Sequence, residues 1–177
     1  MTRRSALLFP ALVPLTTFAA AFQGERQRVS PHETVSVDLG GKTVTITYGR
    51  PYLKGRDASK VEPYGKVWRL GADEATKITV TAATKISSAL QLAPGSYSLF
   101  AITGPTKWTL IVNKVADQWG AFNYDESQDL GRIDLPVTKP STPVEEFTIS
   151  LTKRSADTAT LALAWGHDSV STTLKIG

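Results

Sequence analysis

Asp73 and Glu74 stand side by side in Pro63-Tyr64-Gly65-Lys66-Val67-Trp68-Arg69-Leu70-Gly71-Ala72-Asp73-Glu74-Ala75-Thr76, a stretch that sets two glycines, a tryptophan and an arginine beside two carboxylates. Paired acids near aromatic rings suit glycoside hydrolysis, in which two carboxyls about 5–10 Å apart work on one bond. Adjacent residues on a strand point to opposite faces, so Asp73 and Glu74 cannot serve together. The candidate pair for such chemistry is Glu74 with Asp129 from a later loop, although nothing in the spacing forces them into one cleft. No residue is assigned as catalytic.

Other chemistries find less support. A transition-metal site would need both histidines, His32 and His167, together with carboxylates, because the chain has no cysteine. Neither a metal nor a cofactor is expected. His167-Asp168-Ser169 contains the residue types of a hydrolytic triad, but a triad is a spatial arrangement and these neighbours diverge from a turn. Gly95-Ser96-Tyr97-Ser98-Leu99 lacks the strand-to-helix turn of a nucleophile elbow, and no phosphate-cradling glycine loop occurs.

Charge is distributed in two opposed blocks. From Arg50 to Arg69 there are six basic residues, Arg50, Lys54, Arg56, Lys60, Lys66 and Arg69, against Asp57 and Glu62. From Ala116 to Leu130 there are Asp117, Asp125, Glu126 and Asp129 and no basic residue. One expectation is that the two segments meet and lock, with Arg56 or Arg69 held by Asp73, Glu74 or Asp129 through a bidentate fork. The other is a cleft whose arginines take a carboxylate, phosphate or sulfated group against an aromatic wall drawn from Tyr64, Trp68, Trp108, Trp119 or Tyr124. The residues assigned to binding or locking are Arg50, Lys54, Arg56, Trp68, Arg69, Asp73, Glu74, Trp119, Tyr124, Asp129 and Arg132.

The elements that must position these groups are strands. Val35, Val37 and Leu39, then Val44, Ile46 and Tyr48, alternate with polar residues on either side of Gly40-Gly41, which is the pattern of an antiparallel hairpin. Alternation returns at Ile78/Val80, Tyr97/Leu99/Ala101, Trp108/Leu110/Val112, Ile133/Leu135/Val137, Phe147/Ile149/Leu151, Leu161/Leu163/Trp165 and Val170 to Ile176. Trp108 and Trp165 fall in phase with inward positions. The expected fold is an all-β antiparallel sandwich, jelly-roll-like or a partly closed barrel, with long loops from Arg50 to about Ala75 and from Ala116 to about Gly131. The last three strands read as a meander turning at Ser155-Ala156-Asp157 and Gly166-His167-Asp168.

Length and composition fit one such domain. The chain has 177 residues, 41% hydrophobic and 20% charged, enough to bury a core without disulfides. Arg3-Arg4, an uncharged run from Ser5 to Phe22 and small residues at Ala19 and Ala21 read as an export signal, the alternative being a retained N-terminal anchor. Residues 1–21 are thus assigned to the signal or anchor, 22–33 to a linker and 34–177 to the sandwich. The expected location is the periplasm or beyond, membrane-associated if the segment is kept. Without Arg3 and Arg4 the chain carries 18 basic and 16 acidic residues, a balance that gives no reason to invoke nucleic acid.

Gly49-Arg50-Pro51, Lys54-Gly55-Arg56, the Pro63 to Thr76 stretch, Tyr97-Ser98-Leu99, Trp108-Thr109-Leu110-Ile111-Val112-Asn113-Lys114 and Trp119-Gly120 appear in order over about Tyr48 to Arg132. On these residues the chain resembles the bacterial family called domain of unknown function 2911. The resemblance implies an exported β-rich domain and no established activity. Asp73 stands where that family usually carries asparagine, which adds a charge beside Glu74, and Ile102-Thr103-Gly104 lacks a proline often found after the isoleucine. The expected function is a non-catalytic binding or scaffold module with a protein partner. In one form it is an extrinsic subunit that stabilises a membrane protein assembly from the periplasmic side. The alternatives are a binder of an anionic small molecule or envelope glycan, and a glycan-acting hydrolase using Glu74 and Asp129.

Overall fold

The computed structural model describes residues 28–177, so the export segment and the first part of the linker lie outside the described residues. The strands are β1 (His32–Leu39), β2 (Lys42–Gly49), β3 (Val67–Trp68), β4 (Thr76–Val80), β5 (Thr84–Ile86), β6 (Leu90–Leu92), β7 (Gly95–Ile102), β8 (Lys107–Asn113), β9 (Asp129–Pro136), β10 (Val144–Lys153), β11 (Thr158–Gly166) and β12 (Asp168–Ile176). A single helical turn, α1 (Ala58–Val61), lies in the first long loop, and a 3-10 turn at Glu126–Gln128 ends the second. The larger sheet runs β1-β2-β4-β7-β8-β9, with β3 added to β7; the smaller runs β10-β11-β12-β5-β6. The strand pairs are antiparallel. Two sheets face each other without closing into a barrel, which makes the fold a sandwich.

The alternation explains the layers. Val44, Ile46 and Tyr48 from β2 and Ile78 and Val80 from β4 are buried, while Thr45, Thr47, Lys77 and Thr79 between them face outward. Gly40 and Gly41 close the first hairpin at φ 66° and 81°, values that residues with a Cβ rarely adopt. Between the sheets the core is aromatic. Trp68 stacks on Trp165 at 5.3 Å and 14°, and meets Phe147 edge-on at 4.9 Å and Trp108 at 6.1 Å.

Central strands β7 and β8 break the alternation. Leu99, Phe100 and Ala101 are buried in succession, as are Leu110, Ile111 and Val112, because Phe100 and Ile111 are covered on the outer face by the second long loop. Ala75, Ala121 and Tyr124 pack there, and the Tyr124 ring meets Phe100 edge-on at 4.9 Å. A strand buried on both faces loses its period-two signature. The acidic loop is therefore a lid on the sheet before it is anything else.

Candidate functional site

The first long loop returns to the sheet through a close backbone crossing. The amide of Ala72 donates to the Gly49 carbonyl at 3.2 Å. A Cβ on Gly49 would stand 2.2 Å from the Ala72 carbonyl oxygen, and one on Gly71 would stand 2.8 Å from the Gly49 carbonyl. Leu70 and Asp73 adopt φ 53° and 62° on either side. The Leu70 carbonyl accepts the Thr76 hydroxyl at 2.5 Å, and the Gly71 carbonyl accepts the Trp68 indole N–H at 3.0 Å. These bonds over-determine a strained turn, as such turns require. Asp73 suits its place because Asp and Asn are the side chains most tolerated at positive φ.

Past that turn, the two acids fasten the start of the domain. Asp73 accepts the backbone N–H groups of Val29 and Ser30 at 3.2 Å, a task that an asparagine oxygen could also perform. Glu74 accepts Arg28 Nε at 2.7 Å on one oxygen and lies 2.8 Å from His32 Nε2 on the other. Burial pushes the Glu74 carboxyl up, but the hydrogen bonds from Arg28 and His32 outweigh it and hold it below the usual glutamate range. The backbone of Glu74 forms an isolated antiparallel bridge with Trp119, and Ala75 N–H donates to the Gln118 carbonyl at 2.9 Å. The two long loops thus meet, as expected, through backbone bonds.

A cavity of about 320 Å3 lies at this junction on the outer face of the larger sheet. Arg28, His32, Glu74, Lys77, Asp117 and Trp119 are among the residues lining it. Lys77 pairs with Asp117 at 3.0 Å, so the acids and Lys77 at its wall are engaged, and its remaining surface is mostly apolar.

The charges do not lock the loops in the expected way. Arg56 donates to the carbonyls of Leu53 and Tyr52 at 2.8 and 3.2 Å. Arg69 stands near Glu62, with its buried Nε lacking a protein partner. Arg50 instead ties the two sheets together: it pairs with Glu33 at 2.7 Å and Glu146 at 3.2 Å and donates to the Phe147 carbonyl at 3.2 Å. The backbone N–H of Lys54 reaches Glu145 Oε1 at 2.6 Å. The acidic partners Glu33, Glu145 and Glu146 were missed, although Glu145-Glu146 just before the Phe147 strand was a visible signal.

Asp129 belongs to a separate network. It accepts the Tyr124 phenol at 2.6 Å, Arg132 Nε at 2.9 Å and Asn113 Nδ2 at 2.9 Å. Lys77 pairs with Ser98, Ser98 with Asn113 and Asn113 with Asp129, three inter-strand steps of about 4.8 Å each. The Glu74 carboxyl turns toward β1, on the other side of β4 from Asp129, and Asp129 does not line its cavity. The structure therefore does not bring Glu74 and Asp129 to one bond. Trp68 is 2% exposed core, whereas Trp119 is half-buried at the cavity wall.

Neither Arg28 nor His32, the latter weighed only as a metal ligand, was foreseen beside Glu74, since they lie in the stretch assigned to a linker, where no periodicity marks them. Among the described residues no three His, Asp or Glu side chains gather closely enough to hold a metal ion. No curated protein and no solved structure matches the chain. The family described as a protein of unknown function, DUF2911, matches residues 30–174, a span holding the glycine crossing, the Asp73-Glu74 clasp and both sheets, and the chain belongs to that family.

Proposed function

We propose that this chain is an exported, non-catalytic binding module, an extrinsic subunit that docks on a membrane protein assembly from the periplasmic side. The observation that carries the reading is the clasp: Asp73 and Glu74 are spent on fixing residues 28–32 against the sheet, beside the cavity formed with Trp119. A carboxylate held low by a guanidinium and an imidazole is a poor proton donor, and it rigidifies a surface instead. The N-terminal segment joins the domain at Arg28, at the edge of this cavity. Retained as an anchor, it would turn the Glu74 and Trp119 face toward the membrane. Tryptophan and arginine are enriched at protein interfaces, and Trp119 and Arg28 both line this cavity.

A second reading, a binder of an anionic small molecule or envelope glycan, draws on Arg28, His32 and Lys77 at the same cavity. Purification of the native chain from membranes in mild detergent separates the two. Migration with a stable membrane assembly supports the subunit; release by osmotic shock as a free monomer counts against it.

A further inference from the structure

A second pair of cavities shares no lining residue with the one beside Glu74. Trp108 and Trp165 are 3% and 1% exposed, and neither indole N–H has a partner in the protein, nor does the buried hydroxyl of Thr103. Buried donors are ordinarily satisfied, so three such groups in one place call for an explanation. All three residues line a cavity of about 10 Å3, together with Glu62, Tyr64 and Asp168. That is room for about one oxygen atom with its hydrogens. Tyr64 and Asp168 also line an adjoining cavity of about 310 Å3. This larger one opens between the loop around α1 and the Gly166–Asp168 turn, with Arg56, Asp57, Lys139 and His167 on its wall.

We propose that the two cavities form a binding site for a small neutral polyhydroxylated ligand, a monosaccharide or polyol, with one hydroxyl seated among Trp108, Trp165, Thr103 and Asp168.

The donor and acceptor inventory selects this class. An indole N–H only donates, and an ionised carboxylate only accepts. A hydroxyl is the group that accepts from the first while donating to the second. An anion entering the small cavity would face Glu62 and Asp168, and an ammonium group would meet two indole N–H donors. Asp168 is 7% exposed and lines both cavities, and Lys139 holds one of its oxygens at 2.5 Å, which fixes at the wall a carboxylate that only accepts. Burial, opposed by the charge of Arg69, pushes the Glu62 carboxyl up. Tyr64, 45% exposed, offers a flat ring at the mouth, as suits the apolar face of a sugar. The larger cavity is of the size that small-molecule pockets have.

The test is a titration of the isotope-labelled protein with D-glucose, N-acetylglucosamine and myo-inositol, following the indole N–H signals of its four tryptophans. Replacing each tryptophan in turn by Phe assigns the signals. One of these probes is expected to shift the Trp108 and Trp165 signals saturably and leave that of Trp119 unmoved. Tyr64→Ala, at an exposed position, and Thr103→Val should each weaken that binding by about tenfold, the loss of one well-placed contact. Movement of the two signals by inorganic phosphate or ammonium and by none of the hydroxylated probes would overturn the proposal. So would indoles that respond to no probe up to its solubility limit and show contact with a single bound water, the sign of a structural water alone.

Discussion

Gly49 and Ala72 cross with the Ala72 amide 3.2 Å from the Gly49 carbonyl, so close that no side chain fits at position 49. The crossing lets residues 69–75 return to the sheet with both acids pointing at the N-terminal stretch. Gly49→Ala would drive a methyl group to 2.2 Å from a backbone oxygen, and the loop would have to shift. A loss of about 1–3 kcal/mol is expected, the usual cost of overpacking. Gly41→Ala is the control: its φ is 81° but nothing lies within 4 Å, so the conformational cost alone remains, about 1–2 kcal/mol. Only Gly49→Ala should also loosen residues 28–32, read by amide exchange at Val29 and Ser30.

Arg50→Ala should lower thermal stability without touching the Glu74 cavity. Its guanidinium joins Glu33 of β1 to Glu146 and the Phe147 carbonyl of β10, one strand from each sheet. Loss of these charge-assisted bonds is expected to cost about 2 kcal/mol, a fall in Tm of roughly 4–8 °C for a chain this size. Arg50→Lys should recover little, because an ammonium cannot fork between the partners. An unchanged Tm would remove Arg50 as the tie between the sheets.

The clasp at Glu74 is expected to weaken in acid. Its carboxyl is held below the usual range in the folded protein, so its stabilising contribution is complete above the unfolded value near 4.3 and disappears as pH falls through the lower folded value. Chemical denaturation at neutral pH and at pH 3 should show this loss in the wild type. Glu74→Gln should be less stable at neutral pH and should lose less on acidification.

Alkali should act through two phenols. Burial, with Glu33 adding to it, pushes the Tyr48 phenol up to about 12, and burial with the Asp129 hydrogen bond does the same for Tyr124. A raised folded value means a contribution intact below pH 10 that is lost as pH rises from 10 toward 12. Absorbance titration should find two of the five tyrosines ionising last, and Tyr48→Phe and Tyr124→Phe should each flatten the alkaline fall in stability.

The scaffold was legible in the sequence because half-buried antiparallel strands announce themselves by period two, as β1, β2 and the meander of β10 to β12 do. Legibility failed where a second layer covers a sheet: Phe100 and Ile111 fall between the inward positions of their strands, and nothing in the period-two pattern marks the loop that buries them. The meeting of the two long loops was foreseen, but its cause was misread. Opposite charge suggested ion pairs between them, whereas backbone bonds between Asp73–Ala75 and Gln118–Gly120 make the junction and Arg50 and Arg56 find nearer partners. Long side chains pair with what the fold brings close, and sequence blocks of charge do not carry that information. Arg28 escaped notice, and His32 was weighed only as a metal ligand, for the same reason, since only the turn at Asp73 brings them to Glu74.

The docking role of the Glu74 and Trp119 face is tested most directly by site-specific photo-crosslinking in the native cell. A photoreactive residue at Asp117, whose side chain is 85% exposed at the cavity rim, is compared with one at Lys85 on the outer face of the smaller sheet. A discrete adduct with a membrane protein is expected from position 117 and none from position 85. Adducts from neither position, or equally from both, would contradict it.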